Sequence, residues 1–160
     1  MQETQVLQGE HWQADLSRNF DERESLMVHR SERDEASQTW VFTPEQWLVA
    51  KEKLNLKAIS CGLRLCGDDD IELLAKDVTA FALIVIEFPH FTDGRGFSLA
   101  AQLRERYQYQ GELRASGYLL VDQLSYLKRC GFDSFVFRNP VDSEKAINAL
   151  ADFSVSYQAC

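Results

Sequence analysis

The stretch Phe81-Ala-Leu-Ile-Val-Ile-Glu-Phe88 constrains this chain more than any other. An apolar run that short, rich in branched side chains and closed by Pro89, reads as a strand covered on both faces. Such strands belong to parallel sheets, where a crossover, usually a helix, must join each strand to the next. The chain repeats that unit along its length. Thr39–Phe42 reads as a strand, followed by a helix with Thr43 as N-cap and Pro44 at its first position, whose apolar side is Trp47, Leu48, Lys51 and Leu54. Ala58–Leu65 is the next strand, and the acids of Gly67-Asp68-Asp69-Asp70 open a helix running to about Lys76. After Phe81–Phe88 come a helix over Phe97–Tyr107, a strand over Gly111–Gly117 and a helix over Val121–Cys130 stopped by Gly131. Ser134–Phe137 is the last strand, and Asp142 to about Phe153 the last helix. The expected fold class is α/β, with about five βα units on a parallel sheet that is either an open doubly wound sheet or a partial barrel. Either arrangement gathers ligands at the C-terminal ends of the strands.

The chain has 160 residues, enough for one domain with a real core. Residues 1–38 are polar apart from spots at Trp12 and Leu26–Val28, and read as a mobile leader before a single α/β domain over 39–160. Nine acids and four arginines precede residue 39, so most of the net charge of −8 belongs to that leader. A chain this acidic is not expected to bind nucleic acid, which needs clustered Lys and Arg. No apolar run reaches the roughly 20 residues of a spanning helix, and no signal peptide is visible, so a cytoplasmic location is expected. Cys61, Cys66, Cys130 and Cys160 include no C-x-x-C pair, and five residues put Cys61 and Cys66 on opposite faces of a strand. No metal site is expected. His11, His29 and His90 have no ligand spacing either.

Chemistry is expected between Glu87 and Gly131. In E-F-P-H-F-T-D-G-R-G-F-S, Gly94 and Gly96 flank Arg95 at a helix start whose free N–H groups, through about Ser98, favour an anion. Asp93 caps that helix or orients Arg95. In the strand after it, Glu112, Arg114 and Ser116 alternate with Leu113, Ala115 and Gly117, placing an acid and a base on one face. That face is either an intra-sheet ion pair or the wall of a pocket, with Glu87 contributing from the neighbouring strand. Asp93, Glu112 and Asp122 are the candidate catalytic residues; Arg95, Gly94, Gly96, Arg114 and Ser98 are the candidate ligand-binding ones. An Asp-Gly turn and helix-start acids explain Asp93 and Asp122 equally well without a ligand. Cys130, at a helix end, lacks the dipole that activates thiolates and reads as a packed thiol. The chain has no P-loop and no G-x-G-x-x-G.

F-P-H-F-T-D-G-R-G-F-S-L-A-A-Q-L-R, G-E-L-R-A-S-G and D-Q-L-S-Y-L-K-R-C-G-F-D-S-F, in that order, resemble the bacterial domain-of-unknown-function family 934, often labelled a putative oxidoreductase of sulfite reduction. The resemblance is specific over Phe88–Phe135 and looser back to about Trp40. It implies a role in assimilatory sulfite reduction, because the family is usually encoded beside the haem subunit of sulfite reductase, but it implies no particular reaction. Family members typically carry an acid after the G-E-L-R-A strand, where this chain has Tyr118; Asp122 is the nearest substitute. Three functions follow as expectations. One is an accessory protein touching the haem subunit or its electron donor. The second is a binder or enzyme holding sulfite, sulfate or phosphate on Arg95 and Arg114. The third is a flavin or nicotinamide oxidoreductase, for which the residues themselves indicate no cofactor.

Overall fold

The computed structural model describes residues 5–8, 11–14, 17–19, 39–53, 59–90 and 92–158. Leu26–Val28, His29, Leu54, Ala58 and Cys160 lie outside the described residues. In chain order the elements are β1 (Gln5–Gln8), β2 (His11–Ala14), β3 (Ser17–Asn19), β4 (Thr39–Phe42), α1 (Pro44–Lys53), β5 (Ser60–Leu65) and β6 (Leu83–Phe88). There follow α2 (Arg95–Glu105), β7 (Glu112–Gly117), α3 (Leu124–Arg129), β8 (Ser134–Phe137) and α4 (Ser143–Gln158). The repeated strand–helix unit is as expected, and β3 to β8 pair in parallel.

Local chemistry explains most element starts. Thr43 caps α1 by accepting from the Gln46 N–H (3.3 Å), while the Gln46 side chain accepts from Thr43 N–H (2.9 Å). Gly131 follows α3 with φ +108°, the left-handed geometry that ends helices. The helix expected from the acids at 68–70 is instead two short 3₁₀ turns, Ile71–Leu74 and Val78–Ala80. Asp70 does cap the first, accepting from Glu72 N–H (3.0 Å). A second anchor cuts the segment short: the Asp77 carboxylate takes both the Trp47 indole N–H and the Lys51 ammonium at 3.0 Å, tying the turn to α1.

The sheet order is β2-β1-β8-β7-β6-β5-β4-β3. Laid flat, eight strands would separate β2 from β3 by about 34 Å, at roughly 4.8 Å per spacing. Only Asp15 and Leu16 lie between them in the chain, and three Cα steps reach at most about 11 Å. The sheet therefore curls until its edges meet. β2 runs antiparallel to β1, and β1 antiparallel to β8, so β2 and β3 point the same way. They are successive halves of one stave, the first half paired with β1 and the second with β4. The result is a barrel, which resolves the choice between an open sheet and a barrel. It also corrects the expected boundary at residue 38, because β1, β2 and β3 belong to the sheet and Val6 and Leu7 of β1 are buried. β1 is anchored to the sheet by β8 and β3 by β4, partners distant in the chain that local polarity does not reveal.

All four described α-helices pack on one side of the sheet. Trp47 and Ala50 (α1), Leu99 and Leu103 (α2), Leu124 and Leu127 (α3), and Ala146 and Leu150 (α4) share one core with Phe42, Leu63, Ile84, Ile86, Leu113 and Phe135. Among the described residues, the opposite, inner face carries an apolar cluster of Val41, Leu83 and Val85. At the end where the strands begin, Arg104 of α2 bonds the carbonyls of Tyr109 (2.6 Å), Gly111 (2.9 Å) and Gly131 (2.8 Å) and the Asp133 carboxylate (2.6 Å). Asp133 also accepts from the Leu113 N–H (2.9 Å), so this knot holds the starts of β7 and β8 together. Arg104→Ala should cost about 3 kcal/mol, since several charge-assisted bonds are lost at once. Read by thermal unfolding, that is a fall in Tm of about 6–12 °C for a chain of this size.

Candidate functional site

The strand register decides which side chains meet inside the barrel. Arg64 lies beside Val85, Val85 beside Arg114, and Arg114 beside Ser134; one layer further toward the strand ends, Glu87 lies beside Ser116. Glu87, Glu112, Arg114 and Ser116 thus share one face, as the alternation in the sequence indicates, and that face is the barrel interior. The sequence reading missed Arg64. The signal was present in Ser60-Cys-Gly-Leu-Arg-Leu65, where Ser60, Gly62 and Arg64 alternate with buried apolar residues in the same way.

Two ion pairs divide this interior. In the half where the strands begin, Arg114 is almost wholly buried and bonds Glu112 Oε1 (2.9 Å) and the Ser134 hydroxyl (3.2 Å). Ser134 in turn donates to the same Glu112 oxygen (2.6 Å). Arg114 also donates to the Ser17 hydroxyl (3.2 Å), although β7 and β3 are four spacings apart along the sheet. That bond crosses the barrel and independently confirms its closure. Beside Ser17 in register, Thr39 meets Ser60 across a 3.0 Å hydroxyl contact, extending the polar belt onto β4 and β5. Toward the opposite mouth, Arg64 pairs with Glu87.

Arg95 is elsewhere. It opens α2 beyond the C-terminal end of β6, and its side-chain partner is Asp93, whereas Arg114 bonds Glu112, Ser134 and Ser17. Asp93 meets Arg95 at both its backbone and its side chain. Asp93 accepts from the Arg95 backbone N–H (3.1 Å) and from its guanidinium through both carboxylate oxygens (3.0 and 2.8 Å). Those bonds, the side-chain ones foremost, hold the Asp93 carboxyl down at about 2. The flanking glycines have separate reasons. A Cβ on Gly96 would lie 2.6 Å from the Phe88 ring, so this glycine lets α2 lie close on β6, whereas one on Gly94 would meet nothing. Ser98 is exposed in the first turn of α2, and Asp122 is exposed in a 3₁₀ turn after β7. Gly117, with φ +119°, turns the chain where a Cβ would collide with the Phe88 carbonyl oxygen.

None of the described thiols is activated. Burial pushes the Cys61 thiol up to about 11. Burial, then the Asp69 and Asp68 carboxylates, raise Cys66, and burial raises Cys130. Among the described residues no group of three or more His, Cys, Asp or Glu could hold a metal ion. No helix of the described residues is long and apolar enough to cross a membrane.

Residues 62–160 match a family described as bacterial protein of unknown function, DUF934. The chain belongs to the DUF934 family. No curated protein matches it. The DUF934 match begins on β5 and so takes in Arg64, Glu87, Glu112, Arg114, Ser116 and Ser134, the whole charged wall of the barrel. Ser17 and Thr39, which complete the polar belt, precede it.

The two arginines should respond differently to truncation. Arg114→Ala strands the Glu112 carboxylate in a mostly buried place and should cost about 3 kcal/mol in denaturant unfolding. Arg95→Ala, which removes a guanidinium 58 % exposed, should leave stability within the error of the same measurement. Its effect should appear in the titration of Asp93 instead. The carboxyl signal moves from a midpoint near 2 in the native protein toward 3.8 in the variant. Because the native value is the lower one, the pair's contribution is complete above pH 3.8 and lost as pH falls through 2.

Proposed function

We propose that this DUF934 protein is an accessory protein of assimilatory sulfite reduction, working by contact with the haem subunit of sulfite reductase or with its electron donor. The pathway comes from the family resemblance. The observation that supports a contact role is an aromatic ladder running from the core to the surface. Phe132 packs on Phe88 (5.9 Å between ring centroids), Phe88 on Phe97 (5.3 Å) and Phe97 on Tyr126 (4.9 Å). All four belong to the motifs that carry the resemblance, and Tyr126 ends the ladder 53 % exposed. Leu120, in the preceding loop, is 45 % exposed. A tyrosine held rigidly by rings behind it offers apolar area and a hydroxyl with little entropy to lose, the usual anchor of a protein interface.

Titration calorimetry of the full chain against the purified haem subunit, and separately against its electron donor, tests this reading. A saturable complex with one of them is expected, and Tyr126→Asp should weaken it at least about tenfold, as loss of an aromatic anchor does. Tm should be little changed, because Tyr126 lies outside the buried core. Absence of a complex with both partners would reject the contact role.

A further inference from the structure

Five arginines of the described residues are each bonded to a carboxylate: Arg64 to Glu87, Arg95 to Asp93, Arg104 to Asp133, Arg106 to Glu72 and Arg114 to Glu112. Arg138 instead lies over the Tyr118 ring, 5.4 Å from its centroid. Arg129 differs from all of these. It is exposed in the last turn of α3, and among the described residues it makes no hydrogen bond, ion pair or ring contact. The helix dipole accounts for a cation in this turn. It does not occupy the fork of N–H donors, which matches a carboxylate in two parallel bonds.

The surroundings of Arg129 suit a protein surface better than a small ligand. Tyr126 and Arg129 form an i, i+3 pair in α3, so they are neighbours on its exposed side. Tyrosine and arginine are both enriched among the residues that carry interface energy. Lys128, also without an ion pair among the described residues, lines a hollow of about 470 Å³ with Arg104, Gln110, Gly131 and Asp133. Arg104 gives its donors to Tyr109, Gly111, Gly131 and Asp133, so the Lys128 ammonium is the available cation there. Charge at this place runs against that of the chain. Leu124 to Phe132 holds two cations and no acid, in a protein whose net charge is −8. Of the flanking acids, Asp122 stands in the turn before α3 and Asp133 is bonded to Arg104.

We propose that α3 docks on an acidic protein surface, with Tyr126 against its apolar part, Arg129 paired with one carboxylate and Lys128 receiving another at the hollow. This rests on the contact role proposed above and names the chemistry of the partner: whichever of the haem subunit and the electron donor binds does so through a carboxylate-rich patch. Calorimetry of the full chain with each purified partner decides it. Raising salt from about 0.1 M to about 1 M shortens the screening length from about 10 Å to about 3 Å and should weaken the complex at least about fivefold. Arg129→Glu should weaken it about tenfold or more and Lys128→Glu somewhat less, both with Tm unchanged, since neither residue is in the buried core. A complex weakened by Tyr126→Asp but indifferent to salt and to both charge reversals would overturn the acidic partner and leave the contact role standing. Tighter binding after either reversal would overturn it too, by showing a basic partner. Absence of a complex with both proteins would remove the contact role and this inference together.

Discussion

Two residues between Ala14 and Ser17 govern this structure. Because β2 and β3 occupy opposite ends of the strand order, so short a link leaves the sheet no choice but to curl. Closure separates an outside, where four helices cover the large apolar side chains, from an inside that can admit only what the register points inward. The Arg114–Ser17 hydrogen bond is the inward counterpart of that link, joining the closing stave to the wall across from it.

Barrels of this size are ordinarily filled with branched aliphatic side chains. Among the described residues this interior instead holds the ion pairs Arg64–Glu87 and Arg114–Glu112 beside an apolar cluster of Val41, Leu83 and Val85. Burying charge is costly unless each group is paired and bonded. The geometry meets that condition in the deeper half, where Glu112 accepts from Arg114 and from Ser134. Nearer the mouth, Glu87 is paired with Arg64.

Much of the candidate site was legible. Alternation in Glu112-Leu-Arg-Ala-Ser116 put acid, base and hydroxyl on one face, and the loop after Phe88 did prove to be a helix start at a strand end. In the Arg95 loop the arginine's partner is Asp93, which bonds its backbone N–H and its guanidinium. Which carboxylate meets which guanidinium depends on rotamers and on neighbouring strands, and spacing along one strand does not carry that information. Arg64 went unnoticed since Ser60–Leu65 looks apolar on average, although its alternation marks the same inner face.

By itself the sequence determined the βα repeat, the parallel pairing from β4 onward, most helix ends and the family, because those rest on local periodicity, caps and motif order. The tertiary structure alone decided that the sheet closes, that the first strands belong to it, and that Arg114 is held inside the barrel by Glu112, Ser134 and Ser17. Those outcomes hang on contacts between residues far apart in the chain, such as Ser17 with Arg114, whose energies appear only once the strands have been brought together.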